Sequence, residues 1–101
     1  MIEGINKHFE NRIRLGIMSL LMVNQRLDFN RMKESLQVTD GNLASHLNGL
    51  EREKYIEVRK SFIGKKPNTS YRATSEGVEA FKQHLNALES IINIKNQNER
   101  N

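Results

Sequence analysis

Residues 39–74 constrain the fold most, because within them the hydrophobic pattern passes from helical spacing to strand alternation without a linker. In TDGNLASHLNGLERE, Leu43, Leu47 and Leu50 recur at four and three residues and fall within roughly 60° of one another, which makes one narrow apolar stripe. Thr39 is a good N-cap, since its hydroxyl can accept from a first-turn amide that has no partner within the helix. Val38 and Leu43 have the spacing of a hydrophobic staple. In YIEVRKSFIGKKPNTSYRAT, Ile56 and Val58 alternate with Glu57 and Arg59, and Tyr71 and Ala73 alternate with Ser70 and Arg72. That alternation predicts two half-buried strands, with Gly64, Lys65, Lys66, Pro67 and Asn68 supplying the turn.

The side of the helix away from its leucines carries Gly41, Asn42, Ser45, Asn48, Gly49 and Arg52. Gly and Asn each cost roughly 0.5–1 kcal/mol relative to Ala in a helix, so helix stability is not what favours them. Close approach to the floor of a nucleic-acid groove would favour small groups and short hydrogen-bonding side chains. The hairpin adds the charge. Between residues 54 and 72, six basic residues (Lys54, Arg59, Lys60, Lys65, Lys66, Arg72) stand against one acid, Glu57, whereas the whole chain is only +4. Positive charge is therefore gathered on the hairpin, as expected of a polyanion binder.

Helix, turn, helix, a hairpin rich in Lys and Arg, and a closing helix together resemble the winged helix-turn-helix transcriptional regulators of the MarR/ArsR-like type. More narrowly, RLGIMSLLMVNQRLDFNRMKESLQVTDGNLASHL followed by YIEVRKSFIGKKPNTSYRATSEG resembles the small single-domain winged-helix regulators of bacteria and archaea. The resemblance covers roughly residues 11–88, and residues 39–74 are its most specific part. It implies a mainly α fold with a small β-hairpin wing, in the order helix, short strand, helix, helix, strand, wing, strand, helix. It also implies a recognition helix at residues 39–53 in the major groove of double-stranded DNA, with the wing at residues 60–70 on the backbone or minor groove. Thr39, Asp40, Gly41, Asn42, Ser45, His46 and Gly49 are then the groove candidates, and Lys60, Lys65, Lys66, Asn68, Thr69 and Arg72 the wing candidates.

The remaining elements follow from spacing. Ile5, Phe9, Ile13, Ile17, Leu20 and Leu21 predict a first helix over about residues 11–23, after a lead-in at residues 1–10 that is itself a helix candidate. Gly16 and Ser19 are small enough to let another helix close in, and Arg12 and Arg14 are expected on a solvated surface. Leu27, Asp28 and Phe29 have the look of the short strand that joins the wing in this fold. Asn30 is the expected cap of a second helix over residues 31–36, with Met32 and Leu36 facing the core. In helix-turn-helix geometry that helix crosses the DNA backbone, which makes Arg31 and Lys33 phosphate candidates. After the hairpin, Thr74 can cap a last helix from Ser75. Val78, Phe81, Leu85, Leu88 and Ile92 follow a three-four-three-four spacing, widened by Ile91 and Ile94, while residues 95–101 have no apolar residue and are expected to fray. The stripe suits a homodimer built with the first segment through Ile5, Phe9, Val78, Phe81, Leu85, Leu88 and Ile92. It equally suits packing on the first helix within one subunit.

With 37% hydrophobic residues in 101, the chain has one small core, and it is read as a single domain over residues 1–101 with a dimerisation helix at about 75–95. That low apolar content points to an extended shape or a core shared between subunits. No run approaches the ~18 apolar residues of a membrane span, and residue 1 onward lacks a secretory pattern, so a cytoplasmic protein without membrane partners is expected. There is no cysteine, which excludes disulfides and thiolate metal sites. His8, His46 and His84 show no metal-ligand spacing, and no phosphate loop, nucleophile triad or paired carboxylates are visible, so neither metal, cofactor nor enzymatic activity is expected. Asp40 is read as a partner for the helix macrodipole, with a cytosine amine as the competing reading. Tyr71 belongs to the inward strand set, so core packing is favoured for it over base stacking. Sequence-specific regulation by a DNA-bound dimer, by repression, is the reading the residues favour, and an effector, if any, is not identifiable. A winged-helix adaptor that binds another protein through its last helix is the alternative.

Overall fold

The computed structural model describes the backbone of residues 3–100 and the side chains of residues 3–93. The part expected of Ile94 in the apolar stripe, and the fraying expected of residues 95–101, lie outside the described side chains. Four helices and three strands follow in the order α1 (Arg12–Val23), β1 (Leu27–Asp28), α2 (Phe29–Leu36), α3 (Asp40–Arg52), β2 (Ile56–Ile63), β3 (Lys66–Ala73) and α4 (Ser75–Arg100). The sheet is antiparallel in the order β1-β3-β2. This is the winged helix-turn-helix arrangement expected from the sequence.

Helix starts are set by local side chains. Asn11 caps α1 by accepting from the amides of Ile13 and Arg14 at 2.9 and 3.2 Å. Asp28, rather than Asn30, caps α2, accepting from Arg31 N at 2.8 Å. The helix therefore starts earlier than its apolar pair suggested, because the last residue of β1 already carries a capping carboxylate. Thr39 caps α3, accepting from Asn42 N at 3.2 Å, and Thr74 Oγ1 accepts from Gly77 N at 2.9 Å at the start of α4. α3 ends in a Schellman turn, with Tyr55 N donating to Leu50 O at 3.0 Å and Lys54 N to Glu51 O at 2.9 Å. Lys54 holds the left-handed position, φ 63°, that usually goes to glycine.

The hairpin is longer than expected. Its turn is only Gly64 and Lys65, and Pro67 and Asn68 belong to β3. Gly64 has φ 65° while Lys65 does not have positive φ, so the turn is of the II′ kind that matches strand twist. Ile63 and Lys66 flank it as a hydrogen-bonded pair, which makes Phe62 and Pro67 a pair that exchanges no hydrogen bonds. The proline nitrogen then points to the far edge of β3, where β1 pairs only with Ser70 and Tyr71, so no ladder bond is lost.

The core lies between the helices and the inner face of the sheet: Ile17, Met18 and Leu21 from α1, Met32 from α2, Leu43, Leu47 and Leu50 from α3, then Ile56, Tyr71 and Phe81. Gly16 lets α2 approach, since a Cβ there would lie 2.6 Å from Leu36 Cδ2. Ser19, by contrast, is exposed and donates to Leu15 O. Among the described residues of the lead-in, a short 3-10 helix spans Lys7–Phe9. It inserts Phe9 among Tyr55, Phe81 and His84, at ring separations of 5.3, 5.2 and 5.4 Å. His84 Nδ1 accepts from Asn6 N at 3.0 Å, which ties the lead-in to α4.

That insertion corrects two of the residues assigned to a dimer seam. Phe9 is 0% and Phe81 2% exposed within one subunit, so neither is available to a partner chain, and Ile5 and Val78 are half-buried. Only Leu85, Leu88 and Ile92 remain exposed, at 43, 39 and 60%. Extents of 64 × 25 × 21 Å reflect α4 running beyond the rest of the fold. No helix among the described residues is long and apolar enough to cross a membrane.

Candidate nucleic-acid interface

α3 projects from the helix-turn-helix because the left-handed Gln37, φ 54°, reverses the chain after α2 and Thr39 restarts it. Asp40, Gly41, Asn42, Ser45, Asn48 and Arg52 are exposed, while Leu43, Leu47 and Leu50 are buried. At 100° per residue, Gly41, Ser45, Asn48 and Arg52 form one stripe with Asn42 at its flank. Nothing in the protein lies within 4 Å of a Cβ built at Gly41, so this part of the surface is open. Asp40 forms an ion pair with Lys33 at 2.8 Å and sits at the positive end of the helix, so its carboxylate already has a structural partner. Lys33 is correspondingly engaged, whereas Arg31 is exposed.

Gly49 is not on the open face. It is buried, and a Cβ there would overlap the Arg14 guanidinium, lying 2.9 Å from its Cζ. Arg14 reaches across from α1, lies over Gly49 and donates from Nε to His46 Nδ1 at 3.1 Å. Its expected place on a solvated surface is thus wrong: the missing side chain of Gly49 makes room for the guanidinium, and His46 accepts from it. Burial, and then the Arg14 charge, hold His46 below the ordinary histidine range. A neutral imidazole that accepts at Nδ1 carries its proton on Nε2. Arg14 was missed because its own spacing is uninformative; a glycine in the middle of a helix without a leucine-side reason was the only trace of something packed above it.

On the wing, Lys65 occupies the turn and Lys66 the first residue of β3, and both are exposed. Lys60 pairs with Thr69 and Ser61 with Asn68 in the ladder; Lys60 is exposed, while Asn68 and Thr69 are half-buried. Arg72 does not belong with these residues. It lies opposite Glu57 near the base of the hairpin and is ion-paired with it, so the register that brings them together removes Arg72 from the wing tip. Phe62 and Ile63, 72 and 66% exposed, complete a tip that is apolar as well as basic. Tyr71 is buried in the core. The other histidines are engaged separately, His8 beside Glu53 at 3.4 Å and His84 in the core, and no cluster of metal-ligating side chains occurs among the described residues.

A projecting helix with a small polar face, next to a hairpin tipped with lysines, defines the class of winged helix-turn-helix DNA-binding proteins. The chain belongs to the winged helix DNA-binding domain family, which it matches over residues 13–92. It is 38% identical over 79 residues to an uncharacterised protein of Methanocaldococcus jannaschii, covering 78% of this chain and 86% of that one. Among solved structures it is similar to a transcriptional regulator homologue of Pyrococcus horikoshii, with 34% identity, a TM-score of 0.81 and coverage of 90% of this chain and 91% of the other. A putative transcriptional regulator of Salmonella typhimurium shares the fold at 20% identity, with a TM-score of 0.69 and coverage of 93 and 84%. DNA-binding regulation is accordingly the class of function, double-stranded DNA the class of partner, and the protein is not an enzyme.

Proposed function

We propose that the chain is a sequence-specific transcriptional regulator, one domain over residues 1–101, that acts as a cytoplasmic homodimer and represses by occupying its operator. The observation that carries this is the unobstructed small-residue face of α3 standing beside a wing whose tip is lysine-rich. Thr39, Gly41, Asn42, Ser45 and His46 approach the major groove, joined by Asn48 and Arg52 on the same exposed side, while Asp40 holds Lys33 in place. Asn42 reads a base, because its amide both donates to and accepts from adenine. Lys60, Lys65, Lys66, Asn68 and Thr69 set the wing on phosphates, and Arg14, fixed over Gly49, contributes a further cation at the flank of α3. These phosphate contacts supply affinity and orientation, and sequence preference comes from α3.

Leu85, Leu88 and Ile92 make the subunit seam along the exposed side of α4. A two-fold dimer places one α3 in each of two major grooves, so the operator is roughly palindromic with half-sites about 10 bp, or a small multiple of that, apart. Mobility shifts with random and selected duplexes over a range of salt test the proposal. Lys65→Ala with Lys66→Ala should weaken binding to all sequences alike and lower the steepness of the salt dependence by roughly one to two. An unchanged salt dependence would remove the wing from the interface. A monomer by size exclusion with no DNA affinity at low salt would favour the adaptor role instead.

A further inference from the structure

Side chains on a strand alternate between faces, so the ladder register states which residues share one. Glu57 lies opposite Arg72, Arg59 opposite Ser70, and Leu27 opposite Tyr71. One step before Leu27, Arg26 therefore falls beside Arg72. Ile56, Val58 and Tyr71 face the helices, which leaves Arg26, Arg59, Arg72 and Glu57 together on the outer face of the sheet. Three guanidiniums from three neighbouring segments thus share this face with two carboxylates, Glu57 and, opposite Ser70, Asp28.

Both carboxylates are already used. Glu57 is ion-paired with Arg72, and Arg26 Nη1 donates at 3.2 Å to Oγ of Ser70, a residue only 6% exposed. Among the described residues Arg59 has no ion pair. Asp28, next to Ser70 in the ladder, accepts from Arg31 N at the start of α2. Arg26, Glu57, Arg59 and Arg72, with residues Gln25 and Val58 at its margin, line an open cleft of about 840 Å³. Burial, followed by the charges of Arg59 and Arg72, holds the Arg26 guanidinium below its ordinary range, against the opposing pull of Glu57. Three arginines against Glu57 leave the lining with a surplus of two positive charges, which Asp28 on the same face reduces to one.

The cleft is also placed away from the nucleic-acid interface. It lies on the face of the sheet opposite α3, and Arg59 is five residues from the turn at Gly64, about 17 Å along an extended strand. A duplex that touched only α3 and the wing tip would leave it uncovered. Guanidinium forks match pairs of anionic oxygens, and a lining of three arginines suits clustered oxygens more than a single carboxylate.

We propose that the outer face of the sheet is a binding site for a small multiply charged anion, held by Arg59 and Arg26 with Arg72 shared between it and Glu57. Phosphoryl compounds and polycarboxylates both present the required oxygens. The site stands independently of DNA recognition, so its test needs no duplex.

Calorimetric titration of the full chain with sodium pyrophosphate and with sodium citrate, each against sodium chloride at matched ionic strength, reads the site directly. Saturable binding of at least one anion is expected, and the tighter of the two identifies the source. Arg59→Gln and Arg26→Gln should each weaken it about tenfold or more, since each removes a charge-assisted contact. Arg59→Lys should weaken it several-fold because the charge stays but the fork is lost. A Lys65→Gln, Lys66→Gln control should bind within about twofold of the parent. Should Arg26→Gln fail to fold, Arg59→Gln decides alone, because Arg59 is exposed. Absence of saturable binding beyond chloride, an unchanged Arg59→Gln, or an equal loss in the lysine control overturns the proposal. So does an Arg59→Gln variant that loses duplex affinity while neither protein binds the small anions, which would make the cleft part of the DNA surface.

Discussion

Replacing Gly77 by Ala tests how the DNA-binding unit is joined to α4. A methyl at this position would overlap the Tyr55 carbonyl oxygen and lie 2.8 Å from its carbon and 3.0 Å from Cα. These are backbone atoms, so no side chain can swing aside. They are also pinned: Tyr55 O accepts from Thr74 N at 3.0 Å, and Lys54 O accepts from Thr74 Oγ1 at 2.7 Å, next to the left-handed Lys54. Overpacking costs about 1–3 kcal/mol and a displaced, unpaired backbone group about another 1–3. Against this, exchanging a helical Gly for Ala gains roughly 0.5–1 kcal/mol. The net expectation is a loss of about 1–5 kcal/mol, centred on about 3, or a fall in Tm of roughly 10–25 °C at that centre for a chain of this size. Gly41→Ala is the matched control, because nothing lies within 4 Å of its Cβ, and it should be neutral or stabilising by up to about 0.5–1 kcal/mol. Urea unfolding followed by circular dichroism at one fixed chain concentration gives both values, since stability depends on concentration wherever a chain self-associates. If Gly77→Ala were as stable as the parent, the close approach of α4 to the α3–β2 corner would be wrong.

Asn42→Ala should cost about 1–3 kcal/mol on the preferred duplex and little on random DNA, and equal losses on both would exclude base reading. Arg14→Gln should raise the titration midpoint of His46, followed by NMR of its ring, because it removes one of the two influences that lower it; no movement would break the link between them. As the folded state favours neutral His46, its contribution to stability is complete above the ordinary histidine pKa of about 6.5 and is lost as pH falls through the lower folded value. Lys54→Gly relieves a left-handed residue at the end of α3 and should stabilise by about 0.5–1 kcal/mol in urea, whereas destabilisation would mean that the lysine side chain matters more than its backbone. Leu88→Glu should give a monomer by size exclusion with the fold intact by circular dichroism, and a dimer that persisted would move the seam elsewhere.

The local parts of this protein were determined by neighbours in the chain. Thr39 capping α3, the leucine stripe of α3, and the alternation of Ile56, Val58, Tyr71 and Ala73 all depend on contacts within a few residues, which periodicity records. Clustering of lysines at the wing was equally plain, because a hairpin keeps its own residues together. Capping of α2 was read two residues late, as the competing carboxylate of Asp28 belonged to a segment assigned to the strand.

What tertiary structure decided was which side chains meet from distant segments. The return of the lead-in put Phe9 against Phe81 and withdrew both from the exposed apolar stripe of α4. The crossing of α1 over α3 set Arg14 on Gly49, and the ladder register took Arg72 from the wing tip to Glu57 and set Arg26 next to it. A spacing pattern states which face of its own element a residue occupies; it carries no information about what another element lays upon that face. For that reason the helix and wing could be recognised from the residues alone, while the buried side of α3 and the arginine cleft depended on the packed fold.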